Sequence, residues 1–237
     1  MFRPLATVGL AAGIVLGTPV WAQGILRARL AEPTGRYGHH PMGPGVADQG
    51  ALVVTLDDGR ERRFRLPVSR VFEDNAARVV DLDADGQAEV VVVESDLQRG
   101  ARLSVYGPEG LRAASPFIGQ RNRWMAVAAI TDLDGDGRLE VAVVDRPHLR
   151  RVLVIWQMSG AALVPVAAAP GVTNHRLGAA EMIGGPRDCG AGPDIILARA
   201  DWTGLVSAQM QDGALVLRDL GPGTSPSRLA RVMTCAE

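Results

Sequence analysis

The chain has 237 residues and a formal net charge of −1, and every one of its 25 basic residues is arginine. A balanced charge, a pI near 6.4 and the lack of a basic tract exclude a nucleic-acid or membrane-surface binder that works through bulk charge. Apolar content of 47% supports a buried core, and 28 glycines with 15 prolines point to a turn-rich fold rather than a helical bundle.

In chain order, residues 1–22 read as a secretory signal peptide. Arg3 gives a positive start, residues 5–20 are mostly Ala, Val, Leu, Gly and Ile, and Val20-Trp21-Ala22 places a small aliphatic residue at −3 and alanine at −1. Gly13, Gly17 and Pro19 interrupt the run, which favours a cleaved signal over a membrane anchor. The expectation is a single domain over 23–237, periplasmic or secreted, with no membrane span after cleavage. Cys189 and Cys235 then meet an oxidising compartment and are expected to pair. In the chain-entropy model that bridge closes a loop of about 47 residues and contributes on the order of 4 kcal/mol.

Two segments of the mature chain share one pattern. Residues 77–93 read Ala-Arg-Val-Val-Asp-Leu-Asp-Ala-Asp-Gly-Gln-Ala-Glu-Val-Val-Val-Val, and residues 128–144 read Ala-Ala-Ile-Thr-Asp-Leu-Asp-Gly-Asp-Gly-Arg-Leu-Glu-Val-Ala-Val-Val. Asp81 and Asp132 open the matching loops 51 residues apart, the spacing of a repeat architecture. Each unit reads as a strand, an acidic loop, a β-branched strand, and a further strand at 101–106 or 151–156. Asn174-His175-Arg176 echoes Asn122-Arg123-Trp124 and opens a weaker third copy, with strands at 195–198 and 205–209. A degenerate front unit turns at Asp57-Asp58-Gly59, residues 25–30 are left as an orphan strand, and residues 227–233 echo an opening strand. Repeat units near 37–70, 71–120, 121–172 and 173–222, with a closing strand at 227–235, predict an all-β fold. That fold is a small β-propeller of four to five blades in which the two end strands complete each other's blade; an open β-solenoid is the competing arrangement.

The acidic loops carry the clearest chemistry. Asp81, Asp83, Asp85, Gln87 and Glu89 alternate through the first, and Asp132, Asp134, Asp136, Arg138 and Glu140 through the second. Alternate residues of a tight loop aim inward, Gly86 and Gly137 permit the sharp turn at position six, and the seventh residue offers its carbonyl while Arg138 points its side chain outward. Clustered carboxylates repel one another without a cation, so the spacing predicts calcium in two sites, with magnesium disfavoured because it prefers fewer protein ligands. An EF-hand is excluded. Its twelfth position needs glutamate, where this chain has Val92 and Val143, and both loops run into Val-rich strands. The matching stretch of the third unit, 184–194, lacks the alternating carboxylates, contains Cys189, and reads as a metal-free loop that the disulfide holds.

Strand, Asp-x-Asp-x-Asp-Gly-x-x-Glu, strand resembles the FG-GAP/VCBS repeat family, whose best-known members are the integrin α-subunit propellers. The resemblance implies a propeller with calcium loops joining strands within a blade, and it covers most of the chain after about residue 35. The family's Phe-Gly and Gly-Ala-Pro signature is reduced here to Val105-Tyr106-Gly107-Pro108, and the chain is short for seven blades. The family shares a scaffold rather than one activity, so no function transfers with it.

Common catalytic motifs are missing. The second candidate site is a set of repeated positions ahead of each unit's first strand: Tyr37, His39 and His40; Phe72, Glu73 and Asp74; Asn122, Arg123 and Trp124; Asn174, His175 and Arg176. In a propeller these gather at one mouth of the channel, where His40, Asn122, Arg123, Trp124, Asn174, His175 and Arg176 are candidates for gripping an anion or a sugar, or else for bonding neighbouring blades together. Asp145, Arg146 and His148, with Glu94–Asp96 and Asp201-Trp202 as counterparts, read as a solvated loop face. The functional reading is an exported binding module for an unknown protein or carbohydrate ligand. The alternatives are a periplasmic lyase or hydrolase using His175, His40 or Arg123, and a structural accessory of an envelope complex.

Overall fold

The computed structural model describes residues 24–236; the signal peptide expected over 1–22 lies outside them. The fold is all-β and propeller-like, with one short helix among the described residues. The first unit is a meander of β1 (Ile25–Thr34), β2 (Asp48–Leu56) and β3 (Glu61–Arg65), with β2 in the middle. The second runs through β4 (Arg70–Phe72), β5 (Arg78–Val80), β6 (Glu89–Asp96), β7 (Gly100–Gly107) and β8 (Gly110–Ala114). Here β4 and β5 are two short pieces lying end to end along β6. The third is β9 (Met125–Thr131), β10 (Glu140–Asp145), β11 (Val152–Ser159) and β12 (Ala162–Pro170). The fourth is β13 (Val172–Thr173) and β14 (Gly185–Asp188), both paired to β15 (Pro193–Arg199), then β16 (Gly204–Gln211) and β17 (Ala214–Pro222). Every pairing within these units is antiparallel.

The cores explain why the central strands lack alternation. β6, Glu-Val-Val-Val-Val-Glu-Ser-Asp, is buried along its whole length. Val90 and Val92 pack with Leu52, Val54 and Phe72 of the first two units, whereas Val91 and Val93 pack with Val127, Val141 and Val143 of the third. A strand sandwiched between two sheets reads as a continuous apolar run, because both of its faces are covered. β10 repeats the device: Val141 and Val143 face the second unit, and Ala142 and Val144 face Ile195, Leu197 and Val206 of the fourth.

The chain's end differs from the expected closing strand at 227–235. Residues Pro226–Met233 form a helix, α1, capped by Ser225, whose hydroxyl accepts from Arg228 N–H, with proline in its first turn. The echo of an opening strand was carried by residue identity, but Leu229, Val232 and Met233 fall at helical spacing and pack on Ile196, Leu205 and Leu220. The helix covers the face of β15 that a further sheet would otherwise cover. The first strand is likewise no orphan: β1 pairs with β2 from Ile25–Leu56 to Thr34–Asp48, so β1 and residues 226–233 do not complete one blade. Cys189 and Cys235 form a disulfide with Cα atoms 5.8 Å apart, tying the second residue beyond α1 to the turn between β14 and β15.

Candidate functional site

Each acidic loop connects the first and second strands of its unit, β5 to β6 and β9 to β10, and the β14–β15 turn with Cys189 stands in the same place in the fourth unit. Backbone amides fold the loops around their first aspartate. Asp81 accepts from Asp85 N–H at 3.2 Å and Gly86 N–H at 2.9 Å, and Asp132 accepts from Gly135 N–H at 2.7 Å and Gly137 N–H at 3.0 Å. Gly86 and Gly137 adopt φ of 84° and 87°, the left-handed region where a side chain is disfavoured. Leu82 and Leu133 are buried anchors, and their N–H groups donate to Glu89 at 3.1 Å and Glu140 at 2.8 Å. The loops are neighbours, since Leu139 N–H donates to the Leu82 carbonyl at 3.0 Å.

Carboxylate oxygens of Asp81, Asp83 and Asp85 lie within 4.8 Å of one another, as do those of Asp132, Asp134 and Asp136, so either cluster can hold a metal ion. The donor set fits a hard cation. Asp83 Oδ1 is buried without a hydrogen-bond partner, and burial holds both Glu89 and Glu140 above the usual carboxylate range, with neighbouring aspartates adding to the effect. Arg138 points away, donating to the Met158 carbonyl at 2.8 Å. The loops differ in one respect that sequence reading missed. Arg112 of β8 reaches into the first, bonding Asp83 at 2.7 Å and Glu89, with Asp85 3.7 Å away. The second loop has only the neutral Gln157 amide, at 3.4 Å from Asp136 and Glu140. Arg112 lies 23 residues beyond Glu89, and only the β6–β7–β8 meander brings it back.

The mouth positions meet at the opposite ends of the same strands, where β6 closes with Ser95 and Asp96. Tyr37 Oη accepts from Asn122 N–H at 2.9 Å, His39 Nδ1 lies 2.8 Å from Glu73, and Trp124 Nε1 donates to the Glu73 carbonyl at 2.7 Å. His175 Nε2 faces the Ala179 carbonyl at 2.7 Å and so donates, which makes its Nδ1 the acceptor for His148 Nε2 at 2.8 Å. Burial, then the neighbouring His175, pushes His148 down to about 4, and burial also lowers His175. Asp48, buried and close to Glu73, is pushed up to about 6. Of the sequence candidates, Trp124, Asn174 and His175 are buried and bind neighbouring units together, Arg123 is half-buried, and His40, Asn122 and Arg176 are exposed. The expected solvated face is partly wrong. His148 is half-buried against Trp124 and His175, Glu94 and Ser95 are fully buried, and Trp202 carries Arg176 stacked 3.8 Å above its ring. The sequence places His148 on a repeated loop face but gives no sign that it would pack against Trp124 and His175.

Stacked antiparallel sheets with paired acidic loops define a repeat β-protein that carries candidate metal loops. Residues 81–143 match the FG-GAP-like repeat family, so this segment, which holds both acidic loops and nearly all of β10, is an FG-GAP-like repeat. No curated protein matches the chain.

Proposed function

We propose that the chain is an exported, calcium-stabilised β-propeller of four short blades that serves as an interaction module. The observation that carries this reading is the pair of register-matched acidic loops, each closed by a buried glutamate and joined by a backbone hydrogen bond. Asp81, Asp83, Asp85 and Glu89 would hold one ion, with the Gln87 carbonyl, and Asp132, Asp134, Asp136 and Glu140 the other, with the Arg138 carbonyl. A bound cation supplies the positive charge that lets these carboxylates share a loop, and so ties the two inner strands of a blade together. Export is supported by the sequence pattern of residues 1–22 and by the disulfide, which persists in an oxidising compartment. No described helix is long and apolar enough to cross a membrane. The test is thermal unfolding of the purified protein with calcium and with EGTA, alongside elemental analysis. Calcium should raise Tm and co-purify; equal melting curves with no bound metal would sink the proposal.

A further inference from the structure

The arginines of this chain are not equally engaged. On the outer strands most are paired with carboxylates, as Arg62 is with Glu109, Arg65 with Glu32 and Arg187 with Asp194. Even beside a hollow of ≈ 350 Å³ lined largely by apolar side chains, Arg146 and Arg150 are both held by Asp145. Elsewhere among the described residues Arg27, Arg218 and others make no ion pair, and at the mouth the unpaired arginines gather around a cleft. Among the described residues, Arg123, Arg151 and Arg176 have no carboxylate within ion-pair distance.

Arg151 and Arg176 line one open cleft of ≈ 460 Å³ with Pro147, His148, Leu177 and Trp202, and no Asp or Glu lines it. Arg151 Nε is shut off from water and has no acceptor, and the guanidinium's one hydrogen bond is from Nη2 to the His148 carbonyl at 3.4 Å, so no carboxylate of the protein balances its charge. Arg151 also sits at φ 55°, in the left-handed region. The position 51 residues earlier, in the neighbouring unit, is Gly100 at φ 72°, as that backbone prefers. An arginine that accepts this strain where its sister unit uses glycine points to a role for the side chain rather than the backbone. Trp202, on the opposite wall, is likewise left-handed at φ 64°. Leu177 is 74% exposed beside the cleft, and Leu149, in the adjoining hollow that shares Pro147 and His148, is 63% exposed.

We infer that this cleft binds an acidic peptide segment of a partner protein, with its carboxylates on Arg151 and Arg176 and its apolar side chains against Leu177, Trp202 and Leu149. The inference deepens the interaction-module reading and rests on it. Charge complementarity selects the anion, because two planar guanidinium groups with no carboxylate partner in the chain, one stacked on Trp202 and the other held only by the His148 carbonyl, match carboxylates bidentately. The exposed leucines select a peptide over an acidic polysaccharide, whose rings offer no apolar side chains to cover them.

The test uses the full chain and a fluorescein-labelled octapeptide of alternating glutamate and leucine, with the glutamine–leucine octapeptide and polygalacturonate as competitors, in fluorescence anisotropy. Binding of the acidic peptide should weaken roughly tenfold or more in R151Q/R176Q, and measurably in R176Q alone, whose side chain is exposed. It should not change in R218Q, an exposed arginine of β17 outside the cleft. No binding of the acidic peptide, equal binding of the glutamine peptide, or undiminished binding by the double variant would overturn the assignment. Preferential displacement by polygalacturonate would overturn the peptide as occupant. Melting curves with and without calcium separate the two readings. An R151Q/R176Q variant that keeps the parent's calcium-dependent melting shift but still binds the glutamate–leucine octapeptide removes the cleft and leaves the module standing.

Discussion

The two acidic loops look alike in sequence, yet the fold treats them differently. In the second, Asp132, Asp134, Asp136 and Glu140 face only the neutral Gln157 amide. In the first, Arg112 lies against Asp83 and Glu89 and near Asp85, already supplying one positive charge. The first loop also carries Ala84 at φ 58° where the second has Gly135 at φ 80°. The fourth unit goes further at the same place in its sheet, with a disulfide and the Arg187–Asp194 ion pair, at 2.9 Å, in place of clustered carboxylates. One loop position is therefore held in three ways: by carboxylates that call for an ion, by carboxylates partly neutralised within the chain, and by a covalent bond. On this reading calcium matters most at the second loop.

The largest effect should come from E140Q, which removes a buried carboxylate from the loop whose carboxylates no arginine side chain bonds among the described residues. With calcium at a hundredfold excess over Kd, one site contributes about 2.7 kcal/mol, and E140Q should lose most of that increment in calcium-dependent melting. E89Q should lose less, and equal losses would erase the distinction between the loops. R112Q comes next. Without calcium it should destabilise by about 1–2 kcal/mol, discounted because the guanidinium is one-third exposed. With calcium, titration calorimetry should find the first site tightened, and unchanged affinity would mean that Arg112 does not compete with the ion. A84G relieves the left-handed alanine and should stabilise by about 0.5–1 kcal/mol in chemical denaturation, whereas a G135A change should do the reverse.

A pH experiment separates the mouth from the loops. Asp48 is held near 6 in the fold against an ordinary 3.8, so across that window the folded chain keeps a proton that the unfolded chain releases. Stability contributed there falls as pH rises from 3.8 through 6. D48N should therefore raise Tm at neutral pH, give no gain below about 4, and leave the calcium increment untouched. His148 acts with the opposite sign. Kept neutral down to about 4 against an ordinary 6.5, it costs stability as pH falls through that window. A D48N melting profile that merely parallels the parent's at every pH would show that Asp48 does not titrate as its burial implies.

Much of this molecule was legible in its residues. The Asp-x-Asp-x-Asp-Gly spacing is local, because alternate side chains and a glycine at position six dictate a tight acidic loop whatever surrounds it. The Val-rich runs identified strands buried on both faces, and two cysteines in an otherwise cysteine-free chain identified the bridge that closes the fourth unit. The repeated mouth positions were also visible, although their periodicity gave no sign that Trp124, Asn174 and His175 would be buried while Arg176 stays open.

Tertiary structure decided the rest, because it depends on groups far apart in the chain. Residues 227–233 resemble a strand by identity, but the uncovered face of β15 and the Ser225 cap make them a helix. Arg112 enters the first loop from two strands away, and His148 finds His175 across 27 residues. The arginine-only composition gave no hint of which guanidinium groups lack a partner. That is settled by where the carboxylates fall once the sheets stack, and it leaves Arg151 and Arg176 without a carboxylate partner at the mouth.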